Sequence, residues 1–437
     1  MKQQIFWFRR DLRLEDNAGL YRALKSGNSV QCVFIFDKKI LSKLPKDDAR
    51  VSFIHQELTR LSNELNELGS NLKCYYGNPK SCWAEILNDH EVHEVFTNAD
   101  YEPYAKKRDA EIEKLLGKQG IHLRKYKDHI IFESHEVTKD DGNPYTVFTP
   151  YKRKWLAKME TRMRGKDSYF LTAYPTLEYK DAFVKRKTSK LISLKEMGFE
   201  QSKLEIPSRV VKRSIIKKYT EQRNFPGIDG TSKLGIHFRF GTITIREKAR
   251  HALALNETYL SELIWRDFYS QILDNFPHVV EGPFREKYKN IEWRNDEEDY
   301  NAWKEGKTGY PLVDAGMREL NQTGFMHNRV RMVVASFLTK HLLLPWGWGE
   351  LYFAEKLLDF DLASNSGGWQ WASGTGTDAA PYFRIFNPAS QLSKFDKDYT
   401  YVKKWVPEFG TDDYVEPIVE HKFARERCLS TYKKGLA

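Results

Sequence analysis

The sequence predicts a two-part protein: an N-terminal α/β domain on a Rossmann-like parallel sheet, then an all-α C-terminal domain. Three observations carry this expectation. Short apolar runs alternate with amphipathic stretches up to about residue 130. Strand signals become sparse after about residue 210. Beyond that point apolar residues recur at helical spacing, as in Leu260, Leu263, Ile264, Phe268 and Ile272, or Val330, Val334 and Phe337.

In chain order, strands are expected at 5–8, 30–36, 72–76, 95–97 and 122–126, with amphipathic helices at 52–68 and 104–116 between them. No GxGxxG follows the first strand, so the ordinary dinucleotide fingerprint is missing. Arg9-Arg10-Asp11-Leu12-Arg13 falls at the carboxyl end of that strand, where such sheets bind ligands; solvated loop charges are the competing reading. The expected divisions are 1–130 for the α/β domain, 131–205 for an interdomain connector with some helix, and 206–437 for the helical domain. Lys152, Arg153, Lys154, Lys158, Arg162, Arg164 and Lys166 make the connector basic, a pattern more typical of a solvated face than of a binding site.

Composition narrows the function classes. The 437 residues are 41% hydrophobic and 30% charged, which excludes a disordered chain. A formal net charge of +10 suits a polyanionic partner, because each neutralised phosphate releases condensed counterions. Cys32, Cys74, Cys82 and Cys428 lack CxxC spacing, so neither a zinc site nor a disulfide framework is expected, and a reducing cytoplasm fits. The apolar run before Arg9-Arg10 is too short for a signal peptide, and no segment approaches the roughly 20 apolar residues of a membrane span.

The chemistry concentrates in the helical half, where eight of the eleven tryptophans lie between Trp265 and Trp405. Glu262, Trp265 and Tyr269 share a helix face distinct from that of Leu260, Leu263, Ile264 and Phe268. A carboxylate beside an indole suits recognition of a flat polar ring; a surface Glu with a half-buried Trp is the alternative. Asn328 and Met332, four apart, form a second such pair, with Arg329 and Arg331 turned elsewhere. Residues 359–371 (DFDLASNSGGWQW) combine Asp359, Asp361 and Asn365 with two glycines that permit close backbone approach. Tyr219 lies twelve residues before Thr231-Ser232-Lys233-Leu234-Gly235, small polar residues that could hold a pyrophosphate or simply cap a helix.

In combination these segments resemble the photolyase/cryptochrome family, and most closely the class I cyclobutane pyrimidine dimer photolyases. The resemblance runs from residues 7–13 (WFRRDLR) to 417–422 (PIVEHK), with its strongest blocks at 262–269 (ELIWRDFY), 324–332 (GFMHNRVRM) and 367–388 (GGWQWASGTGTDAAPYFRIFNP). It implies light-driven repair of pyrimidine dimers in UV-damaged DNA, with FAD folded into the helical domain and working as FADH⁻. Tyr219 and Thr231 to Gly235 look like the phosphate-holding segment. Asp359 and Asp361 match the pair near ribose and isoalloxazine, Arg331 resembles the arginine that pairs with Asp359, and Asn365 matches the residue facing flavin N5. Trp369, Trp346 and Trp293 match the family's electron-transfer chain. Trp265 and Trp371 resemble the aromatic walls around the flipped dimer, with Glu262 and Asn328 bonding to its edges and Met332 beside it. Arg223, Arg329, Arg384 and Gln370 match positions on the substrate DNA.

Two departures matter. Gly235 stands where many relatives have serine, which removes a hydroxyl but keeps the backbone N–H. Folate-binding relatives place an acid just after the Tyr101-Glu102 region, where this chain reads Pro103-Tyr104-Ala105-Lys106, so a deazaflavin or second flavin is favoured over folate as antenna, or an empty pocket. A metal-free, monomeric, cytoplasmic enzyme is expected, associated with the nucleoid when bound to DNA. The rivals are a cryptochrome-type blue-light sensor and a DASH-type enzyme preferring single strands. A (6-4) photolyase is disfavoured because Asn328 and Met332 stand where that group uses a histidine pair.

Overall fold

Five parallel strands in the order β3-β2-β1-β4-β5 form the sheet of the N-terminal part: β1 Gln3–Phe8, β2 Val30–Asp37, β3 Leu72–Gly77, β4 Val92–Asn98 and β5 His122–Tyr126. The computed structural model describes residues 2–164 and 171–437, so Lys166 and the side chain of Arg164 lie outside the described residues. Every residue of β1 and β2 is buried, as expected of central strands covered on both faces. The edge strands β3 and β5 are only partly buried.

The strand order reverses at β1, which puts the topological switch point between the carboxyl ends of β1 and β4. That crevice is filled. Arg9 pairs with Asp109 at 2.5 Å and also reaches the Asn98 carbonyl. Asp11 accepts from the Arg9 backbone N–H at 2.7 Å and from Asn98 Nδ2 at 2.6 Å, and Arg13 pairs with Asp128 at 2.6 Å. Residues 9–13 are therefore neither solvated loop charges nor an open ligand site; their charges are spent on each other's buried neighbours.

The chain divides into two compact units whose boundaries differ from those expected. One spans Met1–Glu136, Trp155–Arg209 and Leu234–His251; the other spans Val137–Lys154, Val210–Lys233 and Ala252–Ala437. The segment taken as a connector is thus shared between the two. Phe183, Met197 and Phe199 enter the core of the sheet unit, and Val184 N–H donates to the Val30 carbonyl at 3.0 Å. Apolar side chains so widely spaced leave no period in the sequence, which is why this layer reads as linker.

The second unit has no strand among its described residues. Its core gathers Trp303, Val330, Phe337, Leu338, Phe353 and Trp369, all buried. No helix is long and apolar enough to cross a membrane among the described residues.

Candidate active site

A cavity of about 400 Å³ opens within the second unit. Its walls come from the helices Glu257–Asn275, Asn328–Ser336, Trp346–Lys356 and Leu362–Ser373, with the loop carrying Asp359 and Asp361 between the last two.

The Glu257–Asn275 helix begins at Asn256, whose Oδ1 accepts from Tyr259 N–H at 3.0 Å. Leu260, Leu263, Ile264 and Phe268 are buried, which turns Glu262, Trp265 and Tyr269 to the cavity. Glu262 is ion-paired with Arg223, and its side chain keeps 33% exposure. Burial pushes the Glu262 carboxyl above the usual range, and the Arg223 guanidinium opposes that push. Trp265 lies flat on Phe148, ring centroids 3.6 Å apart and planes 6° apart, while Phe148 N–H donates to Asp378 Oδ2 at 3.1 Å.

The Asn328–Ser336 helix is capped by His327, whose Nδ1 accepts from Arg329 N–H at 3.2 Å. Burial, with the charges of Arg331 and Arg329 nearby, lowers the His327 pKa to about 3, so the ring is neutral. Met332 faces the cavity. The buried Oδ1 of Asn328 has no hydrogen-bond partner among the described residues, and Asn328 does not line the cavity wall. Arg331 pairs with Asp359 at 2.9 Å and donates from Nε to the Met326 carbonyl at 2.8 Å. Arg329 turns away to Asn224 Oδ1 at 2.7 Å and covers the Phe395 ring.

On the Leu362–Ser373 helix, Asp361 caps the start by accepting from Ser364 N–H at 3.1 Å. Asn365 is nearly buried, and its Nδ2 donates to the Glu350 carbonyl at 3.0 Å. Because that partner is a carbonyl, only the amide nitrogen can make the bond, and Oδ1 is left as the free acceptor in the cavity wall. Gly367 packs against Tyr269, where a Cβ would fall 2.2 Å from the ring, whereas a Cβ on Gly368 would meet nothing within 4 Å. Trp369 and Trp371 both line the cavity. Gln370, by contrast, is only 2% exposed, and its amide is consumed internally by Phe284 N–H and the Val279 carbonyl, each at 2.8 Å. Its expected place on DNA does not agree with this burial: one residue along the helix from Trp371, it faces the core.

Trp369 is buried and meets Phe353 edge-on at 5.0 Å and Trp303 at 6.1 Å. Trp346 and Trp293 are half-buried, and neither makes a ring contact with Trp369 among the described residues. Tyr219 is buried against Tyr259 and under the Arg223 guanidinium. Ser232 accepts from the Tyr259 hydroxyl at 3.2 Å, and Lys233, at φ +51°, pairs with Asp229. Neither Tyr219 nor Thr231 to Lys233 lines the cavity, and Leu234 and Gly235 group with the sheet unit. Arg384 is exposed.

The donor set fits the isoalloxazine and ribose end of an FAD. An acceptor at Asn365, the Arg331–Asp359 pair and open space over Gly368 supply polar recognition in an otherwise apolar and aromatic wall. Sequence reasoning missed Phe148, Trp303 and Glu350. Trp303 was visible only as one member of the tryptophan cluster, and the other two carry no local signal of their positions beneath Trp265 and Asn365.

Residues 259–411 match the family described as the FAD binding domain of DNA photolyase, and residues 4–168 match DNA photolyase. A deoxyribodipyrimidine photo-lyase from Synechococcus sp. is 35% identical, over 98% of this chain and 96% of its own length. A class III photolyase from Agrobacterium tumefaciens superimposes with a TM-score of 0.83 at 30% identity, covering 100% of this chain and 98% of its own. An archaeal photolyase from Sulfolobus tokodaii, solved with two FAD molecules, gives 0.80 at 33% identity, covering 99% and 100%.

Proposed function

The chain belongs to the photolyase/cryptochrome family, and from that premise we propose that its cavity is where a pyrimidine dimer meets the flavin. The protein is a deoxyribodipyrimidine photo-lyase with an FAD-binding domain, acting on damaged DNA. The finer reading is a class I cyclobutane pyrimidine dimer enzyme. The observation that carries it is the convergence of Glu262, Trp265, Met332, Asn365 and Trp371 on one cavity of about 400 Å³.

Bound FAD supplies the photoexcited electron that splits the dimer and then takes it back. The protein's part is positioning and electrostatics. Trp265, braced by Phe148, and Trp371 would present flat apolar surfaces to an extruded pyrimidine dimer, whose unstacking costs a few kcal/mol. Glu262 is held in place by Arg223, and its raised pKa lets it share a proton with a carbonyl edge that gains negative charge. Asn328 has an uncommitted amide oxygen that would accept from an N–H of the pyrimidine edge, and Met332 would pack beside the dimer. Asn365 presents an acceptor, without a charge, to a flavin N–H. Asp359, fixed by Arg331, and Asp361 would take the ribose and ring edges, while Tyr219 and Thr231 to Gly235 would hold the phosphates. Arg329 and the exposed Arg384 would take backbone phosphates, which set register rather than sequence; Arg223 would do so only by sharing its guanidinium with Glu262. Trp369, Trp346 and Trp293 would refill it with electrons after oxidation.

For the antenna we favour a deazaflavin or a second flavin. Support comes from a cationic hollow in the sheet unit lined by Lys39, Lys80, Tyr104, Lys107 and Arg108, and from the two FAD molecules of the Sulfolobus photolyase. The hollow measures about 50 Å³, so a ring of that size enters only if these side chains move. The same reading makes the protein a cytoplasmic monomer, on the nucleoid when bound to DNA.

The test is repair of duplex DNA carrying a defined cyclobutane dimer by photoreduced protein under blue light. Restoration of the duplex supports the reading. Repair confined to single strands makes it a DASH-type enzyme, and flavin binding without repair makes it a sensor.

A further inference from the structure

Glu350 sits at the junction of the residues assigned to electron transfer. It lies on the Trp346–Lys356 helix four residues after Trp346, so the two side chains share a face roughly 5–6 Å apart at Cβ. Its neighbour Gly349 is pressed against Trp369: a Cβ there would fall 2.0 Å from the indole ring. Its backbone carbonyl holds Asn365 Nδ2 at 3.0 Å. One helix turn thus touches Trp346, Trp369 and the flavin-facing amide.

Burial disfavours the charged form of the Glu350 side chain. Its buried Oε1 has no hydrogen-bond partner among the described residues. From the Leu362–Ser373 helix the polar group facing it is the Ser366 hydroxyl, which opposes the effect of burial and also reaches the Val279 carbonyl at 3.1 Å. From the Phe337–His341 turn, Lys340 is committed to the Ser373 carbonyl at 2.7 Å and His341 to His421 at 2.8 Å. Burial and Ser366 are the influences on it, with no charged side chain among them. Burial outweighs the opposing Ser366 hydroxyl and pushes the Glu350 carboxyl up to about 7.

We propose that Glu350 is the electrostatic control residue of the tryptophan chain, neutral at rest and stabilising the positive charge on Trp369 and Trp346 when it ionises. The step balances simply. Trp369 would give one electron to a bound, photoexcited oxidised flavin and take one from Trp346, and the Glu350 proton would pass to solvent as the positive charge settles beside it. Below the Glu350 pKa the charge has no counter-ion and returns to the flavin. Above it the carboxylate holds the charge on the chain for longer. The inference rests on the proposed electron chain, and its test separates the two.

The measurement is the lifetime of the tryptophan radical after a light pulse on the oxidised, FAD-loaded protein, from about pH 5.5 to 8.5. The expected result is a rise of about tenfold, the equivalent of one pKa unit of coupling, with a midpoint near pH 7. Glu350→Gln should make the profile flat at the short, low-pH value, and Glu350→Met serves if the amide disturbs folding. In the dark, infrared difference spectra at pH 6 should show a carboxylic-acid carbonyl band that Glu350→Gln removes. A flat wild-type profile, an unchanged profile in the variant, or absence of that band overturns the proposal. Trp369→Phe reports on the chain itself: normal photoreduction in that variant refutes the chain, whereas blocked photoreduction with an unchanged Glu350→Gln profile refutes Glu350 alone.

Discussion

Phe148 lies under Trp265 as a face-to-face ring, 3.6 Å between centroids and 6° between planes, although 117 residues separate them in the chain (265 − 148). The Phe148 backbone is itself fixed by Asp378, so the indole has a firm backing on one face and the cavity on the other.

Removing that backing should weaken substrate binding without unloading the flavin. An aromatic pair contributes about 0.5–1.5 kcal/mol beyond area burial, so Phe148→Ala is expected to lower affinity for dimer-containing DNA roughly 2- to 12-fold. Binding titrations on damaged and undamaged duplexes, with flavin content measured alongside, check this. An equal loss on both duplexes would place Phe148 outside lesion recognition.

Two glycines on facing helices should respond in opposite ways. Gly349→Ala drives a methyl into Trp369 and is expected to destabilise the protein by about 1–3 kcal/mol, visible as a lowered Tm. Gly368→Leu meets open space, so it should fold with little loss of Tm yet bind much less FAD, because its side chain occupies the cavity. Flavin absorbance per protein, read against the Tm of each variant, distinguishes the two effects.

Glu350 also gives stability a pH dependence of known sign. Its folded pKa, about 7, exceeds the ordinary 4.5, so the folded state binds the extra proton between those values. The contribution is fully present below about pH 4.5 and is lost as pH rises through 7. Glu350→Gln cannot lose it. The variant should therefore gain Tm relative to wild type progressively from pH 4.5 to 7 and hold that gain above; a difference independent of pH would mean the carboxyl is not buried as a neutral acid.

Much of this arrangement is legible in the sequence. The β5 boundaries, 122–126, coincide with the expected strand. The Glu262, Trp265 and Tyr269 face was readable because one helix carries all three and periodicity is a local property. What could not be read depends on distant partners. Glu262 is the mate of Arg223, Phe148 is the floor of Trp265, and the charges of residues 9–13 find Asp109 and Asp128 about a hundred positions away. Gln370 sits between two tryptophans that line the cavity, yet helical rotation carries it to the opposite face. Adjacency in sequence argues against a shared face on a helix, and the run Trp-Gln-Trp hides this.

That rotation has a consequence for timing. Gln370 spends both ends of its amide on the backbone of residues 279–284, so the helix carrying Asn365, Trp369 and Trp371 is bolted to the body of its unit from behind. A wall that cannot yield has little left to relax when charge jumps across it, and little of the photon's energy is dissipated in rearranging the surroundings. The excited state lives only briefly, and the protein meets that deadline by having its dipoles already in position when the light arrives.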